Sequence, residues 1–176
     1  MRKVLYIFGL LSDTDIEWMA DNGTRRRLSD GELLIEEGRP SDSVILLLEG
    51  QLQVTAEGYG TIARMGVGEI VGEVSLVDSA PPSATITARG AGLALFLDKQ
   101  QLLEKLQHDE GFGSRFYHAL AVYLADRLRA TRRPMAESLS DSSEISPDEL
   151  DMGIIDRVAE AGDRFNRMLR ILAIGQ

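Results

Sequence analysis

The chain has no cysteine among its 176 residues, which excludes disulfides, thiolate metal sites and a cysteine nucleophile, and fits a reducing compartment. Its only histidines, His108 and His118, both fall in a stretch of helical period. They read as surface or packing residues, because a metal-binding β-barrel enzyme would carry its ligands on strands. No Gly-x-Ser-x-Gly elbow surrounds any serine, and no partner acid can be identified for a lone general base. The sequence therefore offers no catalytic residue and no metal site, and the expectation is a protein that is not an enzyme. No run of about 18 apolar residues occurs, so no membrane-spanning segment is expected. Met1-Arg2-Lys3 followed by Val4 to Leu11 resembles the start of a signal peptide, but the run is short and lacks a small-residue cleavage site, so it reads as an apolar N-terminal extension. Positive charge is also in deficit: 19 Lys and Arg stand against 28 Asp and Glu, a net charge of −9, which disfavours DNA and anionic membrane surfaces as partners. The expectation is a soluble, cytoplasmic protein.

Glycine, by contrast, is concentrated where chemistry is suggested. The stretch from Gly66 to Thr85 places Gly66, Gly68 and Gly72 before Glu73 to Val77, which reads as one short helical turn. Free amide groups at such a turn attract phosphate, and a carboxylate beside them, Glu73, suits a partner that donates hydrogen bonds, such as a ribose hydroxyl. A phosphate together with a sugar hydroxyl suggests a nucleotide.

At these residues the chain resembles the cyclic-nucleotide-binding domain family, which includes the catabolite activator protein and the regulatory subunits of cAMP-dependent kinase. Val71-Gly72-Glu73-Val74-Ser75-Leu76 stands for the first half of the family's phosphate-binding cassette, and Pro81-Pro82-Ser83-Ala84-Thr85 for the second. The resemblance implies an α+β fold, an antiparallel β-roll or jelly roll flanked by N-terminal and C-terminal helices, covering roughly Leu10 to Arg133. It implies cAMP or cGMP as ligand, held by Val71, Gly72, Glu73, Val74, Ser75, Ser83, Ala84 and Thr85, and no other cofactor. It departs at one position: the arginine that pairs with the cyclic phosphate is replaced by Pro82, which implies weakened or lost binding.

In chain order, Ser12-Asp13-Thr14-Asp15 supplies cap residues for a helix over Asp13 to Asn22, stopped by Asn22-Gly23. Arg25-Arg26-Arg27 reads as a solvated strand or loop face. Short strands follow at Leu33–Ile35, Ser43–Leu48, Gln51–Thr55, Thr61–Arg64, Ala84–Ala88 and Gly92–Leu97, with Glu49-Gly50 and Arg89-Gly90 among the joints. After Asp98 the period becomes helical, with a short element over Lys99 to Gln107 and a longer helix from Glu110 to Arg132. The longer helix carries an apolar stripe of Phe112, Phe116, Leu120, Tyr123 or Leu124, and Leu128, while Arg115, Asp126, Arg127 and Arg129 lie largely off it. The family resemblance implies that this helix pairs with its mate in a homodimer.

Pro134 is expected to end that helix, leaving 1–133 as the roll with its dimerisation helix, 134–146 as an acidic linker, and 147–176 as an amphipathic C-terminal helix. Ser146-Pro147-Asp148-Glu149 forms a capping box, and Leu150, Ile154, Val158, Ala161, Phe165, Met168 and Leu172 make a stripe. The long helix, the barrel, the second subunit or an external protein could cover this stripe; an intramolecular or dimer contact is nearest, and the helix is expected to pack against the long helix region. Residues 134–176 hold nine acidic and four basic side chains, which is wrong for a DNA-recognition element. The reading is a regulatory cyclic-nucleotide-binding-like module that binds no DNA, whose ligand binding is weakened or altered, with an unidentified protein partner as a further implication. The alternative is a dimeric interaction scaffold that keeps the fold and has lost the nucleotide.

Overall fold

The computed structural model describes residues 7–78, 80–137 and 152–174, with side chains for all of these except 130–137, 152–159 and 174. Helix α1 (Asp13–Asn22) leads into strands β1 (Thr24–Leu28), β2 (Leu33–Ile35), β3 (Ser43–Ala56), β4 (Gly60–Met65) and β5 (Ile70–Val71). A one-turn helix α2 (Val74–Val77) precedes strand β6 (Thr85–Asp98), and helices α3 (Lys99–His108), α4 (Glu110–Glu137) and α5 (Met152–Ile174) follow. Every strand pairing is antiparallel, in the order β1-β6-β3-β4, with β2 also on β6 and β5 also on β3. This is the expected α+β roll with flanking helices.

Two joints turned out to be bends within strands. Ser43–Leu48 and Gln51–Thr55 are one strand, β3, and the segments on either side of Arg89-Gly90 are one strand, β6. The β3–β6 register shifts on both sides of Glu49, where Gly50 adopts φ +92°. A side chain at Gly50 would meet the Ala91 carbonyl at 2.9 Å, so the glycine lets the two strands stay paired through a bulge instead of parting at a turn. The arginine run forms β1, where Arg26 lies 4.2 Å from the Phe96 ring centroid and pairs with Glu32.

Strand alternation divides the apolar residues between two cores. From β3, Ile45 and Leu47 enter the roll with Leu28, Ile35, Leu52, Val54, Val71, Ile86 and Ala94. Val44, Leu46 and Leu48 face the opposite way, into a layer with Ile16, Met19, Ile70, Leu95 and the helices. Burial on both faces explains why Val44 to Leu48 is an unbroken apolar run rather than an alternating one.

Helix α1 begins at the expected cap, with Ser12 and Asp15 forming a reciprocal capping box. Gly23 ends it without a left-handed residue (φ −94°). A side chain there would collide with Leu95 and the Met19 carbonyl, so close approach explains this glycine. Helix α4 runs three residues past Pro134, a correction to the expected end at 133. Near a C-terminus the proline removes only one amide bond, and the preceding turns hold the helix.

The apolar stripe of α4 also turns differently from expectation. Phe112, Phe116, Leu120 and Tyr123 are buried in the chain's own helical core, and Leu128 is 64% exposed. The next inward position after Tyr123 is thus Arg127, four residues on, and not Leu128.

The capping box at 146–149 and residues 138–146 of the expected linker lie outside the described residues, while 134–137 belong to α4. Among the described residues helix α5 buries Ala161 and Met168 in the core it shares with α4 but packs chiefly along α1, which corrects the expected docking along the long helix. Phe165 meets Phe8 edge-to-face, Arg164 and Arg167 both pair with Asp13, and Arg164 also donates to the Phe8 carbonyl. The charged rim of α5 finds its complement on α1, and α4 already has its own apolar face covered by the layer beneath it.

Candidate functional site

The cassette is held in place by short-range backbone chemistry. Strand β5 pairs Val71 with Ile45 and Ile70 with Leu46, bringing the chain across β3 before it turns at Gly72. Gly72 has φ +80°, and a side chain there would lie 2.6 Å from the Ser43 carbonyl, so both conformation and space require glycine. Beyond it, Ser75 Oγ donates to the Gly72 carbonyl at 3.1 Å. Lys99, the first residue of α3, donates from Nζ to Ser75 Oγ at 2.6 Å and to the Ser41 carbonyl, tying the cassette to the segment before β3. Burial lowers the Lys99 pKa against the opposing pull of Asp42 and Glu73.

The second half of the cassette is anchored through Pro82, whose carbonyl accepts the Gly38 N–H at 2.8 Å. Pro81 and Pro82 have no amide hydrogen, so this wall offers no backbone donor at two consecutive positions.

Val71, Gly72, Glu73, Val74, Ser75, Ser83 and Ala84 all line one cavity of about 190 Å³. Thr85 is not part of the lining; its Oγ1 accepts the Glu37 N–H at 3.0 Å. The apolar side chains of Ile35, Val54 and Ile86 complete the wall from the strands, and Arg127 completes it from α4. The cavity is smaller than the roughly 300 Å³ at which small-molecule sites usually begin.

The centre of the site is Glu73, only 2% exposed, whose Oε1 accepts from Arg127 Nη1 at 2.5 Å. Burial pushes the Glu73 carboxyl above the usual carboxylate range, outweighing the downward pull of Arg127 and Lys99. One turn back along α4, the Tyr123 hydroxyl donates to the Ile70 carbonyl at 3.0 Å, and burial raises its pKa. The long helix is thus bonded to both β5 and the cassette.

Arg127 and Lys99 were not singled out by reading the sequence. Arg127 is charged and so reads as lying off the apolar stripe, although its spacing from Tyr123 puts it on the same face. Lys99 has no local signal, since its partners Ser41 and Ser75 are distant in sequence. Among the described residues no group of three or more His, Asp or Glu side chains could hold a metal ion, and no helix is long and apolar enough to cross a membrane.

Residues 25–109 match the family model described as the cyclic nucleotide-binding domain. The cAMP-dependent protein kinase regulatory subunit of Yarrowia lipolytica is 35% identical over 72 residues, which is 40% of this chain and 19% of that protein. A cGMP-dependent protein kinase of Caenorhabditis briggsae is 34% identical over 62 residues, 35% of this chain and 8% of that protein. The chain thus spans a fifth or less of the length of these relatives. Among solved structures, a cyclic nucleotide-binding domain from Methylobacillus flagellatus superposes with a TM-score of 0.69 at 23% identity, covering 82% of this chain and 86% of that one. The fold and the matched segment agree, and over residues 25–109 the chain is similar to the cyclic nucleotide-binding domain family.

Proposed function

We propose that this chain is a regulatory module that binds a cyclic nucleotide weakly and has no catalytic activity of its own. The observation that carries this reading is a cassette folded around a cavity with Glu73 directed into it, while the position resembling the family's phosphate-pairing arginine is Pro82. Loss of one charge-assisted hydrogen bond weakens binding by about 1.5–3 kcal/mol, and an unpaired buried charge raises the cost to roughly 3–5 kcal/mol. This corresponds to about one to three orders of magnitude in affinity. Calorimetric titration with cAMP and cGMP tests it: Pro82→Arg should bind at least one of them about tenfold to a thousandfold more tightly than the unaltered chain. Equal affinity in the two proteins would overturn the reading.

A second reading, a dimeric scaffold that works without ligand, is favoured by Arg127 already occupying the Glu73 carboxylate and by the outer face of α4. Tyr117, Ala121 and Leu128 follow one another along that face and are exposed, and Leu128 lies one residue beyond the arginine that reaches the cassette. On either reading the dimer uses this outer face, because Phe112, Phe116 and Tyr123 are committed to the chain's own core.

A further inference from the structure

We infer that Arg127 of α4, and not a cassette residue, supplies the anion contact of this cavity, and that a ligand obtains it by taking over Arg127's place at Glu73. The inference rests on the ligand class of the proposed function and adds the residue that selects it. Among the described residues lining the cavity, Arg127 is the one cation, and its side chain keeps 34% of its surface exposed. Glu73, at 2%, is fixed in the floor. Among the described residues the guanidinium donates to Glu73 Oε1 through Nη1 and lies 5.7 Å from the Tyr123 ring centroid, which leaves further N–H groups for an incoming anion. Lys99 lies behind the wall, bonded to Ser75, and its charge acts on Glu73. When Arg127 turns to a ligand, the buried carboxylate therefore keeps one cation near it. A ligand hydroxyl donating to Glu73 supplies the hydrogen bond that the arginine gives up. The matching ligand carries an anionic group and a hydroxyl close together, as a cyclic nucleotide does through its phosphate and its ribose 2′-OH. A neutral nucleoside supplies only the second.

The test combines calorimetry with NMR of the arginine Nε–H signals in the full chain. The unaltered protein should bind cAMP about ten- to a hundredfold more tightly than adenosine, the range of one charge-assisted contact. Arg127→Gln should lose that preference, the ratio of cAMP to adenosine affinity falling about ten- to a hundredfold, and Arg127→Lys should fall between, since lysine keeps the charge without the planar fork. Inorganic phosphate should shift the Nε–H signal that disappears in Arg127→Lys. If cAMP binds and Arg127→Gln keeps the affinity ratio of the unaltered protein, the assignment of Arg127 is overturned and the proposed function stands. If cAMP fails to bind while phosphate still shifts the Arg127 signal, the assignment stands and weak cyclic-nucleotide binding is overturned. If neither engages the protein, both are overturned.

Discussion

Helix α4 sends two arginines, Arg115 and Arg127, to two buried carboxylates, and the two ion pairs are built to opposite ends. Arg115 grips Asp15 with Nε and Nη2 at 2.7 and 2.8 Å, and the Ser12 N–H adds a third hydrogen bond at 2.7 Å. Although burial opposes it, these bonds hold the Asp15 carboxyl below its ordinary range. Glu73 is as well buried, yet it accepts a single bond from Arg127 and faces a cavity, and its carboxyl is pushed up. A fully satisfied carboxylate fixes α1 to α4. The Glu73 pair, made through one arginine N–H beside an open space, is the less constrained of the two.

The largest expected effect is at the structural pair. Arg115→Met leaves Asp15, 3% exposed, without its cation, which costs about 3 kcal/mol, the lower end for a broken buried pair because Arg115 itself is half-exposed. That should lower the melting temperature by roughly 6–12 °C, measurable by thermal unfolding at pH 7. Loss of less than about 0.5 kcal/mol, the size of an ordinary surface change, would mean that the pair does not anchor α1.

A smaller loss is expected for Arg127→Gln, and its pH dependence separates the two pairs. Because the Glu73 pKa is raised from 4.5, its contribution to stability is complete below that value and is lost as pH rises through the folded-state pKa. The Asp15 pKa is lowered from 3.8, so its contribution is complete above that value and is lost as pH falls through the folded-state pKa. The loss caused by Arg127→Gln should therefore shrink as pH falls from 7 toward 4.5, since the raised Glu73 carboxyl gains protons and needs its cation less, while Arg115→Met should stay as destabilised as at pH 7. Parallel losses at pH 7 and pH 4.5 for both variants would erase the distinction.

The smallest effect on stability is expected on the outer face of α4. Ala121→Glu with Leu128→Glu should change stability by no more than about 0.5 kcal/mol per site, yet convert a dimer to monomers in analytical ultracentrifugation. Phe116→Asp would instead unfold the domain, because Phe116 lies in the core. A double variant that sediments like the unaltered chain would remove this face as the dimer contact.

Much of this arrangement was legible in the residues. The α1 cap residues, the strand at Leu33–Ile35, the turn at Gly72 and the switch to helices after Asp98 all follow from neighbours within a few positions of one another. What was not legible came from residues whose partners are remote. Glu49-Gly50 reads as a turn until β6 lies across it, and Arg127 reads as a solvated charge until Glu73 is brought beneath it, 54 residues away in sequence. Thr85 belongs to the cassette by its position in the chain, yet its hydroxyl serves the Glu37 amide.

By itself the sequence determined the secondary-structure period, the caps and the glycine at position 72, because each depends on local backbone sterics and on hydrogen bonds a few residues long. Only the tertiary structure decided which face of α4 is buried, which helix α5 covers, and which cation meets Glu73. These outcomes depend on desolvation and charge pairing between segments far apart in the chain, and the energy of a buried charge is set by what the fold places beside it.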